Sequence, residues 1–328
     1  MTPRRRFGFD WLTGRDYSYR KGWVRDRLKQ LAGAMAIDVL DYAVLGNHLH
    51  VVLRNRPDLV GSWSDEEVAR RWWLVCPLRR NPDGTIPDPK PCELGLLRQK
   101  VDEYRVRLSD ISWFMRLACQ PIARRANQED EVDGRFFAKR FDCRRLETWA
   151  DVLSCSIYVD LNVIRAGSAE TPETSEFTSA FDRIRARWQA MQQELETETP
   201  VPLPSAEAAD SWLAPVFLDE RAEAYPRVAR VSKADADGTC DGASPTGCNP
   251  IRSPRISNKG FLPVTRDQYL SLLDVLGRVV RQSQRGSIPP ELPPILERLK
   301  LEPQSWLESL LDFFQRDPLT VRPASSFG

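Results

Sequence analysis

The chain's only two histidines lie two residues apart, in Asn47-His48-Leu49-His50. Neutral imidazole is the commonest metal ligand in proteins. In a strand, residues i and i+2 project from one face about 7 Å apart at Cα, so side-chain rotation can bring both rings onto one cation. The same pattern suits two polar residues on the exposed face of an edge strand. A metal site therefore needs a further ligand from elsewhere in the chain.

Residues 148–166 supply a candidate. On an ideal helix, Trp149, Val152, Leu153, Ile157, Leu161 and Ile164 form one apolar stripe, and Asp151, Tyr158, Asn162 and Arg165 lie opposite it. Tyr158 and Asn162 are an i, i+4 pair, one above the other. The Asn162 amide could serve as an oxygen ligand. Asp160 falls inside the apolar stripe, where periodicity gives it no role.

Residues 134–146 carry Arg135, Lys139, Arg140, Arg144 and Arg145 against a single nearby acid, Asp142, with Phe136, Phe137 and Phe141 interleaved. Cations can track phosphates and aromatic rings can stack bases. Arg116, Arg124 and Arg125 stand on the helix expected just before this segment. The competing reading makes the phenylalanines core and the arginines a solvated face.

These residues need elements to hold them. Residues 19–35 have helical spacing in Trp23, Val24, Leu28, Leu31 and Met35. Residues 38–45 and 48–53 read as two strands joined by Gly46-Asn47, a good two-residue hairpin turn. Alternation puts His48, His50 and Val52 on one face, with Leu49, Val51 and Leu53 on the other. Ser64-x-x-Glu67 and Thr148-x-x-Asp151 open helices. Residues 77–91 read as a loop, and 94–108 as a polar helical excursion. Residues 112–127 form a stronger helix, and 134–146 are strand-like in part. The tyrosine helix stops at Gly167. Residues 196–255 are rich in Pro, Ala, Asp, Gly and Ser, the composition of a partly disordered linker. Helical spacing returns in Tyr269, Leu272, Leu273, Leu276 and Val280, followed by an apolar stretch over 306–314.

With 328 residues, a net charge of +1 and scattered cysteines that never form C-x-x-C, the chain fits a soluble, reduced, cytoplasmic protein with one or two domains. It has no apolar run of membrane-spanning length. Its first residues carry charge but no signal-peptide core. A balanced charge does not exclude nucleic acid, because cations can cluster on one face.

Taken together, the motifs resemble the REP-associated tyrosine transposases, a group of the single-tyrosine HUH (insertion-sequence-200-like) transposases. Tyr42-Ala-Val-Leu-Gly-Asn-His48-Leu-His50-Val-Val-Leu is similar to the family's Y-x-x-M-P-N-H-x-H pattern. Tyr158-Val-Asp-Leu-Asn162-Val-Ile-Arg-Ala-Gly167 is similar to its Y-I-x-x-N-P-V-R-A-G, and Gly134-Arg-Phe-Phe-Ala-Lys-Arg-Phe to its aromatic-basic strand. The resemblance spans roughly residues 15–185. Gly46 and Val163 stand where the family has proline, and Arg4-Arg-Arg-Phe-Gly-Phe stands where relatives carry a first strand.

The resemblance implies an α+β fold of the HUH, ferredoxin-like type: a small antiparallel sheet carrying the histidines, with helices packed on it. Residues 1–190 would be the catalytic domain, with a helical insertion near 57–110. By composition and spacing, residues 191–255 would be the linker and 256–328 a helical C-terminal segment, and residues from about 190 onward are expected to be dispensable for nicking but not for full function. His48, His50 and Asn162 would bind Mg²⁺ or Mn²⁺, and Tyr158 would be the nucleophile that nicks and rejoins DNA through a 5′-phosphotyrosine. The partners implied are single-stranded or hairpin DNA and a possible second copy, at the nucleoid. A hairpin-DNA-binding protein without catalysis, or a metal-stabilised structural protein, would share parts of this pattern. Metal-dependent covalent capture of DNA separates the first reading from both.

Overall fold

The computed structural model describes residues 7–11, 13–196, 208–218, 253–279 and 285–300. The architecture is α+β, with helices on both faces of a two-stranded antiparallel sheet. Strand β3 (Ile37–Val44) is buried along its whole length and pairs with β4 (Leu49–Asn55). Leu45 N–H donates to His48 O at 2.9 Å across the expected turn. Gly46 is not among the glycines with positive φ, so this turn does not use glycine's left-handed freedom. A separate small hairpin pairs β1 (Phe9–Asp10) with β2 (Arg15–Asp16).

A register shift between Val39 and Asp41 leaves Leu40 as an extra residue. One extra residue reverses the side-chain alternation beyond it. Ile37, Val39, Tyr42 and Val44 therefore share one core, while Leu40, Ala43 and Leu45 share the other. On β4, Leu49, Val51 and Leu53 pack on the first core and Val52 on the second, as alternation requires.

The first core lies beneath α1 (Arg20–Ala34), α2 (Pro57–Ser62), α3 (Asp65–Val75), α4 (Pro91–Arg98), α5 (Val101–Leu108) and α6 (Ile111–Glu129). Among residues 57–110, Trp72, Trp73, Leu97 and Leu108 are buried. Leu97 and Leu108 seat the expected polar excursion at 94–108 against the first core. The second core joins α7 (Trp149–Arg165), α8 (Ser179–Glu196), α9 (Arg266–Gly277) and α10 (Ile295–Arg298). Side-chain caps set the starts of α3, α7 and α9. At α7, Thr148 Oγ1 accepts from Asp151 N–H while Asp151 accepts from Thr148 N–H, both at 3.1 Å. The helix ends before Gly167, which takes φ 69°.

Among the described residues, the outer edge of β3 is closed by loop backbone and by side chains of α8, with no further strand beside it. Val44 N–H donates to Phe177 O at 3.0 Å, and Ala214 N–H to Val39 O at 2.9 Å. Tyr42 N–H donates to Ser179 Oγ at 3.2 Å, and Arg183 donates to Leu40 O at 2.6 Å. Buried polar backbone demands such partners.

Three expectations change. Residues 134–146 hold no strand; they run irregularly over the first core, with Phe136 buried in it. Part of the expected linker is packed: Trp212, Leu213, Ala214 and Val216 are buried, and Phe261 and Leu262 both donate backbone N–H groups to Val216 O. The rest of that stretch, residues 197–207 and 219–252, lies outside the described residues, as do Val280 and the apolar segment at 306–314. Finally, α9 inserts Tyr269, Leu270 and Leu273 into the core beneath α7. Residues after about 190 thus contribute to the same core as α7.

Candidate active site

Because Leu49 and Val51 point into the first core, His50 must face the second layer, where α7 crosses the sheet. There Asn162 Nδ2 lies 3.1 Å from His50 Nε2, across 112 residues of sequence. The rings of His48 and His50 are 4.8 Å apart between centroids and nearly perpendicular. The Tyr158 ring meets His50 edge-on at 5.9 Å and remains 46% exposed. The four residues singled out in two distant motifs converge on one spot. Tyr158 lies at its solvent side, open to a large substrate.

Burial first, and the neighbouring His48 second, push the His50 imidazole down to about 4. Burial also lowers His48. Both rings are therefore neutral near pH 7, the form that binds metals. His48 Nδ1 lies 2.5 Å from Asn47 Oδ1. An N–H donated there leaves His48 Nε2 as the nitrogen with a free lone pair. Amide oxygen and nitrogen are assigned from surroundings; turning the Asn162 amide over brings Oδ1 beside His50 Nε2. Two neutral imidazoles and one amide oxygen make a donor set suited to a divalent cation with positions left open. No group of three His, Cys, Asp or Glu side chains that could hold a metal occurs among the described residues.

The helix carrying Tyr158 is fixed from behind by the residue that periodicity could not place. Asp160 is 1% exposed. Its Oδ1 accepts from Ser179 Oγ and from Ala180 N–H at 3.0 Å, at the start of α8. Its Oδ2 accepts from Tyr269 Oη at 2.7 Å, on α9. Arg183 of α8 donates to Asp41 Oδ1 of β3 at 2.5 Å, and both side chains are fully buried. One carboxylate and one guanidinium thus tie α7, α8, α9 and β3 together, and the carboxylate stands two residues from Tyr158, across Val159. Burial raises the Asp160 carboxyl to about 7, the Asp41 charge adds to this, and Arg183 opposes it.

The expected basic residues separate into two groups. Arg135, Lys139, Arg140, Arg144 and Arg145 are exposed. Lys139 pairs with Asp142 at 2.6 Å, and Arg145 approaches Glu147 at 4.0 Å. Their segment begins near the histidine turn: Phe7 N–H donates to Gly46 O at 2.8 Å, and the Phe7 ring lies 5.5 Å from Phe136 and 6.2 Å from Phe137. It ends near α7, where the Arg144 charge acts on Asp151 and Cys155. Phe136 is buried and Phe137 and Phe141 are half-buried on the first core, so these three rings are packing residues and no stacking surface. Arg116, Arg124 and Arg125 are exposed on α6, in the layer across the sheet from Tyr158. Two of them lie over rings: Arg116 over Trp113 at 4.8 Å and Arg125 over Trp23 at 3.9 Å.

Of the cysteines, Cys76, Cys92, Cys119, Cys143 and Cys155 are free thiols. No helix among the described residues is long and apolar enough to cross a membrane. No protein-family model, no curated protein and no solved structure matches this chain.

Proposed function

We propose that the chain is a transposase-like enzyme that nicks and rejoins single-stranded or hairpin DNA, of the HUH single-tyrosine kind, with Tyr158 as nucleophile. The observation that supports this reading is the convergence of His48, His50, Asn162 and Tyr158 from a strand and a distant helix.

A divalent cation, Mg²⁺ or Mn²⁺, held by His48, His50 and Asn162 would withdraw charge from the scissile phosphate as a Lewis acid. Tyr158 Oη attacks the phosphorus. The Oη–P bond forms as the P–O3′ bond breaks, the phenol proton passes to solvent base, and the leaving O3′ takes up a proton. The products are a 5′-phosphotyrosine and a free 3′-OH. Covalent capture retains the bond energy, so attack by a 3′-OH on the phosphotyrosine rejoins DNA and restores the phenol. The exposure of Tyr158 suits a polymer substrate. The exposed cations between Arg135 and Arg145 border the same region and suit its phosphates.

The test is to incubate the purified chain with single-stranded DNA and Mn²⁺, digest it, and locate any covalent nucleotide by mass spectrometry. The nucleotide should reside on the peptide containing Tyr158. Attachment elsewhere, or no attachment on any single-stranded or hairpin substrate, overturns the reading. The ligand set is tested separately. His48→Ala and His50→Ala should each weaken calorimetric Mn²⁺ affinity by at least about tenfold, the lower range seen when even outer-shell partners of a metal are lost. Unchanged affinity in either variant would remove that residue from the set.

A further inference from the structure

The β1–β2 hairpin carries an aromatic pair that no core uses. Trp11 is 77% exposed, the most exposed large apolar side chain among the described residues, and Phe9 is 39% exposed. Their rings contact one another at 4.8 Å, edge to face. Single apolar residues scattered over a surface need no explanation, whereas a contiguous exposed patch marks an interaction site.

The hairpin is rooted at the candidate active site. Phe7 N–H donates to Gly46 O, two residues before His48, and Tyr17 N–H closes the hairpin on Gly8 O at 3.2 Å. Gly8 lies so near Gly46 that a Cβ on it would stand 3.5 Å from Gly46 Cα. The chain from Gly8 to Trp11 reaches at most about 10 Å. The aromatic pair is therefore held within a few nucleotides of the imidazoles.

The neighbouring proposed site, whose substrate is single-stranded DNA, names the occupant. Of the hairpin's two acids, Asp10 is buried and accepts from Thr13 Oγ1 at 3.1 Å, and exposed Asp16 accepts from Ser18 N–H and Oγ. Arg15 is exposed on β2 and in no ion pair among the described residues. Exposed Arg135 and Arg140 belong to the segment whose Phe136 packs on Phe7. Aromatic faces beside cations are the elements that bind a single strand, because stacking needs an unpaired base and the cations follow its backbone.

We propose that Trp11 and Phe9 form a stacking platform for an unpaired base near the phosphate that Tyr158 attacks, selecting single-stranded over duplex DNA. The inference rests on the proposed function for its substrate.

Anisotropy titrations of fluorescein-labelled oligo-dT, the same strand with one abasic position, and a blunt duplex test it. The full chain is used with and without Trp11→Ala, both in a Tyr158→Phe background so that cleavage plays no part. Trp11→Ala should weaken single-strand binding on the order of tenfold, the usual scale of one stacked base, and leave duplex binding unchanged. As the abasic site is walked along the strand, one position should weaken the parent chain and leave Trp11→Ala unaffected. Equal affinities for the single strand, equal losses on single strand and duplex, or no binding by the parent chain overturns the platform. A Trp11 effect without any covalent adduct in the unsubstituted chain would sink the proposed chemistry and leave the platform standing. An adduct without a Trp11 effect would do the reverse.

Discussion

Tyr158→Phe should eliminate the covalent DNA product and leave DNA affinity within a few-fold. The substitution removes one oxygen and keeps the ring that meets His50 at 5.9 Å. Tyr158 is 46% exposed, so the fold does not depend on burying its hydroxyl. The proposed metal ligands stay in place, because His50 is fixed by β4 and Asn162 by the packed face of α7. A denaturing gel with labelled single-stranded DNA and Mn²⁺ reads the adduct directly, and an electrophoretic shift under native conditions reads binding. Loss of adduct with retained binding assigns the nucleophile. An undiminished adduct in the phenylalanine variant excludes Tyr158, and loss of both adduct and binding would mean that the hydroxyl holds DNA.

The four residues of the site were legible because each depends on a short-range pattern. Alternation over 48–53 places His50 opposite Leu49 and Val51, and the β4 side chains divide between the two cores accordingly. Helical spacing over 149–164 places Tyr158 and Asn162 on the face that the structure turns toward His50. What brings the two patterns together was not legible. Asp160 read as an anomaly because its partner Tyr269 stands 109 residues away, and Ser179 lies on a different helix. Periodicity describes an element's burial against one neighbour, and Asp160 is buried between two.

The same limit explains the misread segments. Residues 134–146 mix aromatic and basic residues in a way that suits a strand, yet they run irregularly, with Phe136 buried in the first core. Residues 208–218 sit in a composition typical of linkers. Locally, however, Trp212-Leu213-Ala214 carries enough apolar surface to pack, and its backbone finds Val39 O on the open edge of β3. The bulge at Leu40 leaves only a faint trace in the sequence: Asp38 and Asp41 stand three residues apart, a spacing that strict alternation would put on opposite faces, and the packing on both faces shows the change of parity.

Arg183→Met should cost about 3–5 kcal/mol of stability, the range for removing one partner of a buried ion pair. Arg183 and Asp41 are both fully buried, and Asp41 Oδ2 already lacks a hydrogen-bond partner. Without the guanidinium, Asp41 loses its counter-charge, and Leu40 O loses a donor on the bulge. Arg183→Lys keeps the charge without the planar fork, so its loss should be smaller. The loss should also depend on pH, in a direction set by Asp160. Its folded-state value, raised to about 7, exceeds the unfolded value near 3.8. A carboxyl raised on folding contributes stability that is fully present below about 4 and is lost as the pH rises through about 7. Arg183 is the cation that holds Asp160 down, so its removal extends this loss to higher pH. Urea midpoints of parent and Arg183→Met should therefore diverge further at about pH 8 than at about pH 5. A gap that is constant or narrows over that range would break the link between Arg183 and Asp160. Because Asp160 lies between Tyr158 and Asn162 on α7, the same substitution should loosen the helix that presents the nucleophile. Adduct formation in Arg183→Met should then fall at temperatures below its own melting point, whereas a purely global effect would appear only as the chain unfolds.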